Sequence, residues 1–596
     1  MIVYGDSEQV AWPGEVLTAI RRDLDTYVAH PGGLAAHSLL VDAFIATAEL
    51  VQGAADAEMA AAGGSDVLGP AQRAGTQVLM LLARQLGASW RNSFHPAHGL
   101  PPGWQGILPA LDTGLPLRLR RAEGYLHYAL YPEGYLEAAA RSGLGADTCV
   151  IGLRSIGTGL AALVAAGLGT DGFFTLRPVG HPFDRHVTPA EPLARAILSA
   201  GGTYAIVDEG PGKSGSSFAG VASWLEANGV PRDRVHFFPG HAGAPGEQAG
   251  PTTRTLWRDT SRHVSGYSGA QLAGHLSHWL TGLIGPLNAP LRDLSGGGWR
   301  GSHPAPVDRQ MEKLKFLAEA RGRRYLVKFA GLGASGRDKL ARARLLAQSG
   351  HVPEPVGLAH GFLVENWVEG RPLPATDFSR ARLVDLAGAY LGARARLLPA
   401  GTPGAPLAVL AEMAAINLGE RLGPGAESAV RRSLASLDGL QHRVRPVFTD
   451  NRLQPWEWLV DAGGRLLKTD ALDHATGHDL IGPQDIAWDV AGLVAEFDLA
   501  PHEQAQLIRA VASASGHDVD PDLVRLLLPC YLGFQIGLWT DALGRAGGED
   551  HHRIAALLDR HAERATRLLA AKVAGRRNDA VTPEFAAQPP HSTRIR

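Results

Sequence analysis

The sequence predicts an α/β protein with a parallel sheet covered by helices on both faces. A two-lobed α+β unit follows it, and a helical region precedes it. Three observations predict this. Between about 115 and 240, the short apolar runs TCVIGL, GFFTLRPV, TYAIVDE and RVHFFPG alternate with the helical stretches GTGLAALVAAGLG, AEPLARAILSAG and FAGVASWLEANG. From about 309, the strand-like RRYLVKFAGLG and HGFLVENWVEG give way to helical periodicity that ends near 569. From Trp12 to Trp90, three segments repeat apolar residues at spacings of three and four.

Taken in order, residues 1–114 are expected to be a helical region, a hood or interaction part, broken late by the Gly-Pro-rich SFHPAHGLPPGWQG. Residues 115–245 hold the α/β unit. Residues 246–308, with GHAGAPGEQAGPTTRT and DLSGGGWRGSHPAPVD, read as linker and connecting segment. Residues 309–572 form the second ordered unit, and 573–596 have too few apolar groups to bury and are expected to be disordered.

Composition bounds the function. The chain has 596 residues, 45% apolar and 19% charged, with a formal net charge of −2, so no global basic field marks nucleic acid as a partner. The surplus of Arg over Lys reads as genome composition. Cys149 and Cys530 are too few for a disulfide framework or a thiolate metal site. The start, MIVYGDSEQV, lacks a basic region followed by an apolar one, and no apolar run approaches the ~18 residues that span a bilayer. A soluble, cytoplasmic protein with no membrane partner is expected; a homodimer is left open.

The stretch TYAIVDEGPGKSGSSF, Thr203 to Phe218, runs from a strand through a Gly-Ser loop into a helix. Gly212-Lys213-Ser214 looks like the end of a P-loop, but the glycine that such a loop needs falls on Val207, inside the strand. The acidic pair Asp208-Glu209 fits another ligand: two carboxylates for the vicinal hydroxyls of a ribose, then amides and hydroxyls for a 5-phosphate. This order resembles the phosphoribosyl pyrophosphate (PRPP) loop of the type I phosphoribosyltransferases. Asp208 and Glu209 match the acidic pair, and Gly212, Lys213, Ser214, Gly215, Ser216 and Ser217 the phosphate loop, with a spacer one residue longer than the commonest form.

Upstream, Arg154-Ser155-Ile156-Gly157-Thr158 follows the run CVIGL and resembles the pyrophosphate loop of that family. Between the two loops, Arg177, His181 and Arg185 fall where the family carries a mobile flap. The resemblance implies Mg²⁺-dependent chemistry at C1 of a 5-phosphoribosyl group. Arg154 would stabilise the departing pyrophosphate, and Asp208 and Glu209 would hold the sugar. Tyr125, Tyr128, Tyr131 and Tyr135 are expected in the core or at a rim, with base stacking as the alternative.

In the second unit, RRYLVKFAGLG, the helix RDKLARARLLAQSG and VPEPVGLAHGFLVENWVEGRPL resemble the small lobe and hinge of the aminoglycoside phosphotransferase and choline kinase-like group. The resemblance implies that Lys328 contacts nucleotide phosphates and that Glu365 and Trp367 belong to the hinge facing adenine. Aligning VFTDNRLQPWEWLVDAGGRLLKTD on the catalytic loop puts Asp470 and Glu457 in metal-binding roles, with Asp485 and Asp489 at a later helix start. Arg452 stands where the catalytic Asp belongs, so Asp450, two residues early, is the candidate carboxylate. Asp338 is the candidate partner of Lys328, and no Gly-rich loop is seen before that lysine. ATP and Mg²⁺ are the implied cofactors.

The reading is a bifunctional transferase, with a phosphoribosyltransferase-like unit fused to a kinase-like one. The alternatives are a non-catalytic PRPP- or nucleotide-binding regulator, or a small-molecule kinase whose α/β unit only binds substrate.

Overall fold

Six consecutive buried residues, Thr148–Leu153, form the central strand of a parallel sheet, as an unbroken apolar run does when both faces are covered. The structure is a computed structural model. It describes residues 1–5, 8–95, 99–101, 103–301, 303–309, 311–373, 378–433 and 439–578. The sheet runs Phe174–Leu176, Thr148–Leu153, Thr203–Val207, Val235–Phe238, Ser261–Arg262, all neighbours parallel. Side chains alternate between faces with a period of two. Val150, Ala205, Val207 and Phe238 pack with the helix Gly157–Leu168 and the N-terminal helices, while Cys149, Ile151, Tyr204, Ile206 and Phe237 pack with the helices Glu191–Ser199 and Ser216–Ala227.

In chain order the strands lie 2-1-3-4-5, so the first and third are neighbours whose connections leave in opposite directions. A crevice opens beyond their C-terminal ends at such a switch point. Both loops singled out in the sequence start there, at Arg154 and Asp208. They touch: a Cβ on Gly157 would lie 2.8 Å from the Val207 carbonyl, so only glycine fits.

The N-terminal helices Pro13–Ala29, Leu34–Ala61 and Pro70–Arg91 lie over the first face of this sheet. Leu34–Ala61 and Pro521–Arg545 are long and apolar enough to cross a bilayer, which corrects the expectation that no such segment exists; interspersed polar residues hide them from a search for unbroken runs. Of their most apolar stretches, 67% and 83% lie buried inside the protein, as in core helices.

The second unit opens with an antiparallel sheet in the order Arg292–Asp293, Lys315–Ala320, Arg323–Phe329, Phe362–Asn366, Pro355–Ala359. Tyr325, Val327 and Phe329 face the same core as Leu40 and Phe44 of the N-terminal helices, so this sheet and the α/β unit share one apolar interior. The helices Arg380–Leu397, Leu407–Leu422, Ala487–Phe497 and Pro521–Arg545 build a second core below it. The described residues of the segment read as a linker, 246–308, form ordered structure. They supply the fifth parallel strand, the helices Pro251–Asp259 and Gly269–Trp279, and the first antiparallel strand, because Leu256, Trp257, Leu272, Leu276 and Trp279 are spaced to be buried. The last helix, Gly548–Asn578, runs into the tail expected to be disordered; residues 579–596 lie outside the described residues.

Candidate functional site

Lys328 sits between two core-facing neighbours, Val327 and Phe329, so strand alternation turns it to the opposite face. There it ion-pairs with Asp470 and Asp473, and Asp473 also accepts from Lys339 Nζ at 2.6 Å. Lys339 lies on the helix Ala334–Ala347, where Asp338 was expected to serve. Lys328, Glu365, Trp367, Glu457 and Asp470, assigned from sequence to nucleotide or metal, all line one cavity of about 810 Å³ between the antiparallel sheet and the helical lobe.

The charges in this cavity are tuned by burial and by one another. Burial alone would lower Lys328, but Asp470 and Asp473 overcome it and hold the ammonium above the ordinary lysine value. Burial alone would raise Asp470; Lys328 and then His474 hold it below the usual carboxylate range. Glu457 goes the other way, pushed by burial up to about 7 against Lys468, with Asp470 adding to the push. Burial likewise raises Glu365 to about 7 against the pull of Lys328. Lys313 is lowered to about 7 by burial and by the neighbouring Lys339 and Lys328. Neutral groups hold it, the His127 ring at 3.1 Å and the Leu126 carbonyl at 3.5 Å.

A Gly-rich segment does precede Lys328, correcting the sequence reading. The excursion 294–314 joins the first two antiparallel strands and carries Gly296, Gly297, Gly298 and Gly301. Leu294, Trp299, Arg300, Val307 and Lys313 from this excursion wall the cavity. It is clasped to the C-terminal helices: Asp550 accepts from Arg300 at 2.5 Å and Arg309 at 3.0 Å, and Asp308 accepts from Arg545 at 2.5 Å.

Asp450, the candidate catalytic carboxylate, is not on the cavity wall. It is 1% exposed and taken up by Tyr390, by Lys468 at 3.2 Å and by Arg394 at 3.6 Å. A buried carboxylate so satisfied is a scaffold group. Asp489 braces the same loop, accepting from the backbone N–H of Asp450 at 2.8 Å and of Asn451 at 3.1 Å. Asp485 caps the adjoining helix start through Ala487 at 2.9 Å. Arg452 does reach the cavity, and 3.6 Å from its guanidinium stands Asp479, a lining carboxylate raised by burial against Arg452's pull. Trp456 lines the cavity too, whereas Trp458 and Trp488 are buried.

Lysine scarcity was the signal the sequence reading passed over. Only seven of the 57 basic residues are lysines. Lys313, Lys315, Lys328 and Lys468 line the cavity, Lys339 is one side chain behind it, and Lys213 is in the other loop. Lysine offers a compact point charge that a guanidinium does not, so a chain rich in Arg retains it where that shape matters.

At the switch point, Asp208 and Glu209 are hemmed in beside the strand ends. Asp208's carbonyl accepts from Tyr135 at 2.9 Å, and a Cβ on Gly124 would lie 2.9 Å from the Glu209 carboxyl. Burial raises Asp208 to about 7, with Arg185 and Arg177 opposing; burial and then Asp208 and Glu123 raise Glu209 to about 8. The expected flap is the hairpin Val179–His181 and Asp184–His186, and it lies on the phosphate loop. Ser214 and Ser216 both donate to the Pro182 carbonyl, at 3.2 and 2.9 Å, and Arg185 donates to Ser217 at 3.3 Å. Gly212 and Gly215 take φ of +63° and +66°, which lets the loop curl; Lys213 and His181 are exposed.

Arg154 is corrected. Its guanidinium is buried against Asp66 and lies 3.1 Å from Asp56, so it braces the loop from behind. Arg177 binds the same Asp56 and donates to Ser155 at 3.3 Å; Thr158 is fully buried beside Gly157 in the first turn of the following helix. Tyr125, Tyr131 and Tyr135 are core residues; Tyr128 is 48% exposed and lines the large cavity.

No protein-family model matches this chain, and no curated protein does. Among solved structures, choline kinase LicA from Streptococcus pneumoniae is similar at 17% identity and a TM-score of 0.34, over 50% of this chain and 99% of that one. Spectinomycin phosphotransferase APH(9)-Ia, in complex with ADP and spectinomycin, is similar at 12% identity and a TM-score of 0.35, over 50% and 98%. Macrolide 2'-phosphotransferase MphH from Brachybacterium faecium is similar at 18% identity and a TM-score of 0.32, over 48% and 97%. Likenesses of this strength assign no residue of this chain a role; the roles below come from its own geometry.

Proposed function

We propose that the cavity between the antiparallel sheet and the helical lobe binds a nucleoside triphosphate with Mg²⁺ and passes its terminal phosphoryl group to a small hydroxyl-bearing acceptor. The observation that carries this is the convergence of Lys328, Asp470, Asp473 and Glu457, from separate segments, on one large cavity walled by a Gly-rich excursion. Lys328 would take phosphate charge now shared by Asp470 and Asp473. Glu457 and Asp470 suit a hard cation: two carboxylates crowd a desolvated wall, and their mutual repulsion contributes to raising Glu457. Mg²⁺ held there would neutralise triphosphate charge as the bond to the leaving oxygen breaks.

The carboxylate that orients the acceptor is then Asp479, beside Arg452 in the catalytic loop. Its position is set by the chain start, since Leu480 N–H donates to the Val3 carbonyl and Gly5 N–H to the His478 carbonyl, both at 3.0 Å. Titration calorimetry with Mg-ATP, alongside ADP release over a panel of amino alcohols, aminoglycosides and sugars, tests the proposal. Asp470→Asn should abolish Mg-dependent binding, and Asp479→Asn should keep binding and lose turnover. Wild-type protein that binds no Mg-ATP would refute it.

A second reading concerns the switch point. The adjoining loops at Arg154 and Asp208, the acidic pair and the hairpin over the phosphate loop favour a phosphoribosyl compound there, with Asp208 and Glu209 on the sugar hydroxyls. Phosphorus NMR of the protein with Mg²⁺ and PRPP tests it. Pyrophosphate release lost in Asp208→Asn/Glu209→Gln supports transfer at C1, whereas intact PRPP leaves the loop a binding site at most.

A further inference from the structure

Away from both sites, three side chains meet in the shared interior. His37 comes from the first turn of Leu34–Ala61, Glu133 from the first turn of Pro132–Arg141, and His360 from the two-residue turn between Pro355–Ala359 and Phe362–Asn366. All three side chains are 0% exposed. One oxygen, Glu133 Oε1, meets His37 Nε2 at 2.7 Å and His360 Nε2 at 3.0 Å. The other, Oε2, is equally buried and has no hydrogen-bond partner. Phe94, Tyr131 and Trp279 ring the cluster, with centroids 4.8 to 5.4 Å from the imidazoles. A carboxylate in such an apolar shell needs a positive charge or full hydrogen bonding.

We infer that His37, Glu133 and His360 bind a divalent transition-metal ion of the zinc class, pinning the N-terminal helices, the α/β unit and the antiparallel sheet together. The donor atoms lie within 4.8 Å of one another. Two imidazole nitrogens and the Glu133 carboxylate give three ligand positions, and the bare Oε2 becomes a donor where that carboxylate chelates. Donors of separate ligands roughly 2.0–2.1 Å from an ion are about 3.3 Å apart at tetrahedral angles, so the Nε2–Oε1 spacings of 2.7 and 3.0 Å need only small outward shifts.

The rings are already aimed. Ser89 Oγ sits 2.9 Å from His37 Nδ1, and Ser38 Oγ 3.0 Å from His360 Nδ1. A neutral imidazole that gives Nε2 to a metal carries its proton on Nδ1, where these hydroxyls accept it. The turn adds a second mark: His360 holds φ +43° ahead of Gly361 at +90°, a left-handed position that a side chain occupies at a cost. Tyr131 Oη donates to the His360 carbonyl at 2.9 Å and fixes that turn.

Elemental analysis of the full chain, expressed without a polyhistidine tag in zinc-supplemented medium, tests this. About one zinc per chain is expected, falling at least about tenfold in Glu133→Gln and in His360→Gln. If these variants fail to fold, wild-type protein stripped with a chelator and titrated with Co²⁺ decides instead. Stoichiometric uptake with the visible bands of a tetrahedral cobalt site supports the ion. A protein that purifies without metal and takes up no Co²⁺, or variants that keep their zinc, would overturn it.

Discussion

Replacing the acidic pair, Asp208→Asn with Glu209→Gln, should remove the pH dependence that this pair imposes on stability. Ordinary values are about 3.9 and 4.3 for the two carboxyls, against about 7 and about 8 in the folded chain. A folded-state value raised above the unfolded one means that the native chain holds protons that the unfolded chain has released. Stability from this pair is therefore fully present below pH 4 and is lost as the pH rises through 7 to 8. At about 1.4 kcal/mol per tenfold change, independent groups would give about 9 kcal/mol as an upper bound. A proton on one carboxyl relieves its neighbour and the crevice admits some solvent, so about 3–4 kcal/mol is expected between pH 5 and 8.5. The amides do not titrate. In urea unfolding followed by tryptophan fluorescence, the stability of the variant relative to wild type should rise by about 3–4 kcal/mol between pH 5 and pH 8.5. A wild-type–variant difference that stays constant across this range, or that shifts against the variant at high pH, would show that the pair is not desolvated.

Three other outcomes follow from the large cavity. Lys313, lowered to about 7, should regain its charge beside phosphate, so Mg-ATP binding at pH 8 takes up about 0.9 proton, read from calorimetry in buffers of different ionisation enthalpy. Lys313→Met should bind without that uptake. Asp473→Asn strands the buried Lys339 ammonium and leaves Lys328 with Asp470 alone, so it should cost about 3–5 kcal/mol of stability, partly restored by Lys339→Met; an additive double variant would refute the coupling. Asp550→Asn opens the clasp on the excursion 294–314 and should speed nucleotide release about tenfold, measured by stopped-flow with a fluorescent analogue.

The sequence by itself determined the elements whose chemistry is local. TCVIGL and TYAIV are strands because unbroken apolar runs between glycine-rich turns suit a sheet covered on both faces. Lys328, Glu365, Trp367, Glu457 and Asp470 were grouped through the resemblance to the aminoglycoside phosphotransferase and choline kinase-like group, and the fold brings all five to one cavity. Tertiary structure decided where the long side chains go. Arg154 and Asp450 sit at the expected places in their loops, yet each turns inward, because Asp56 and Asp66 in one case and Tyr390, Arg394 and Lys468 in the other surround it from distant segments. The glycine-rich stretch 294–301 looked like a linker, since only pairing of Arg292–Asp293 with Phe316–Leu317 brings its Leu294, Trp299, Arg300 and Gly301 to the wall of the cavity. His37, Glu133 and His360 meet across 323 positions of chain, and no spacing announces such a meeting. Periodicity is a property of neighbours in sequence; a buried charge finds its partner only when separate elements share one interior.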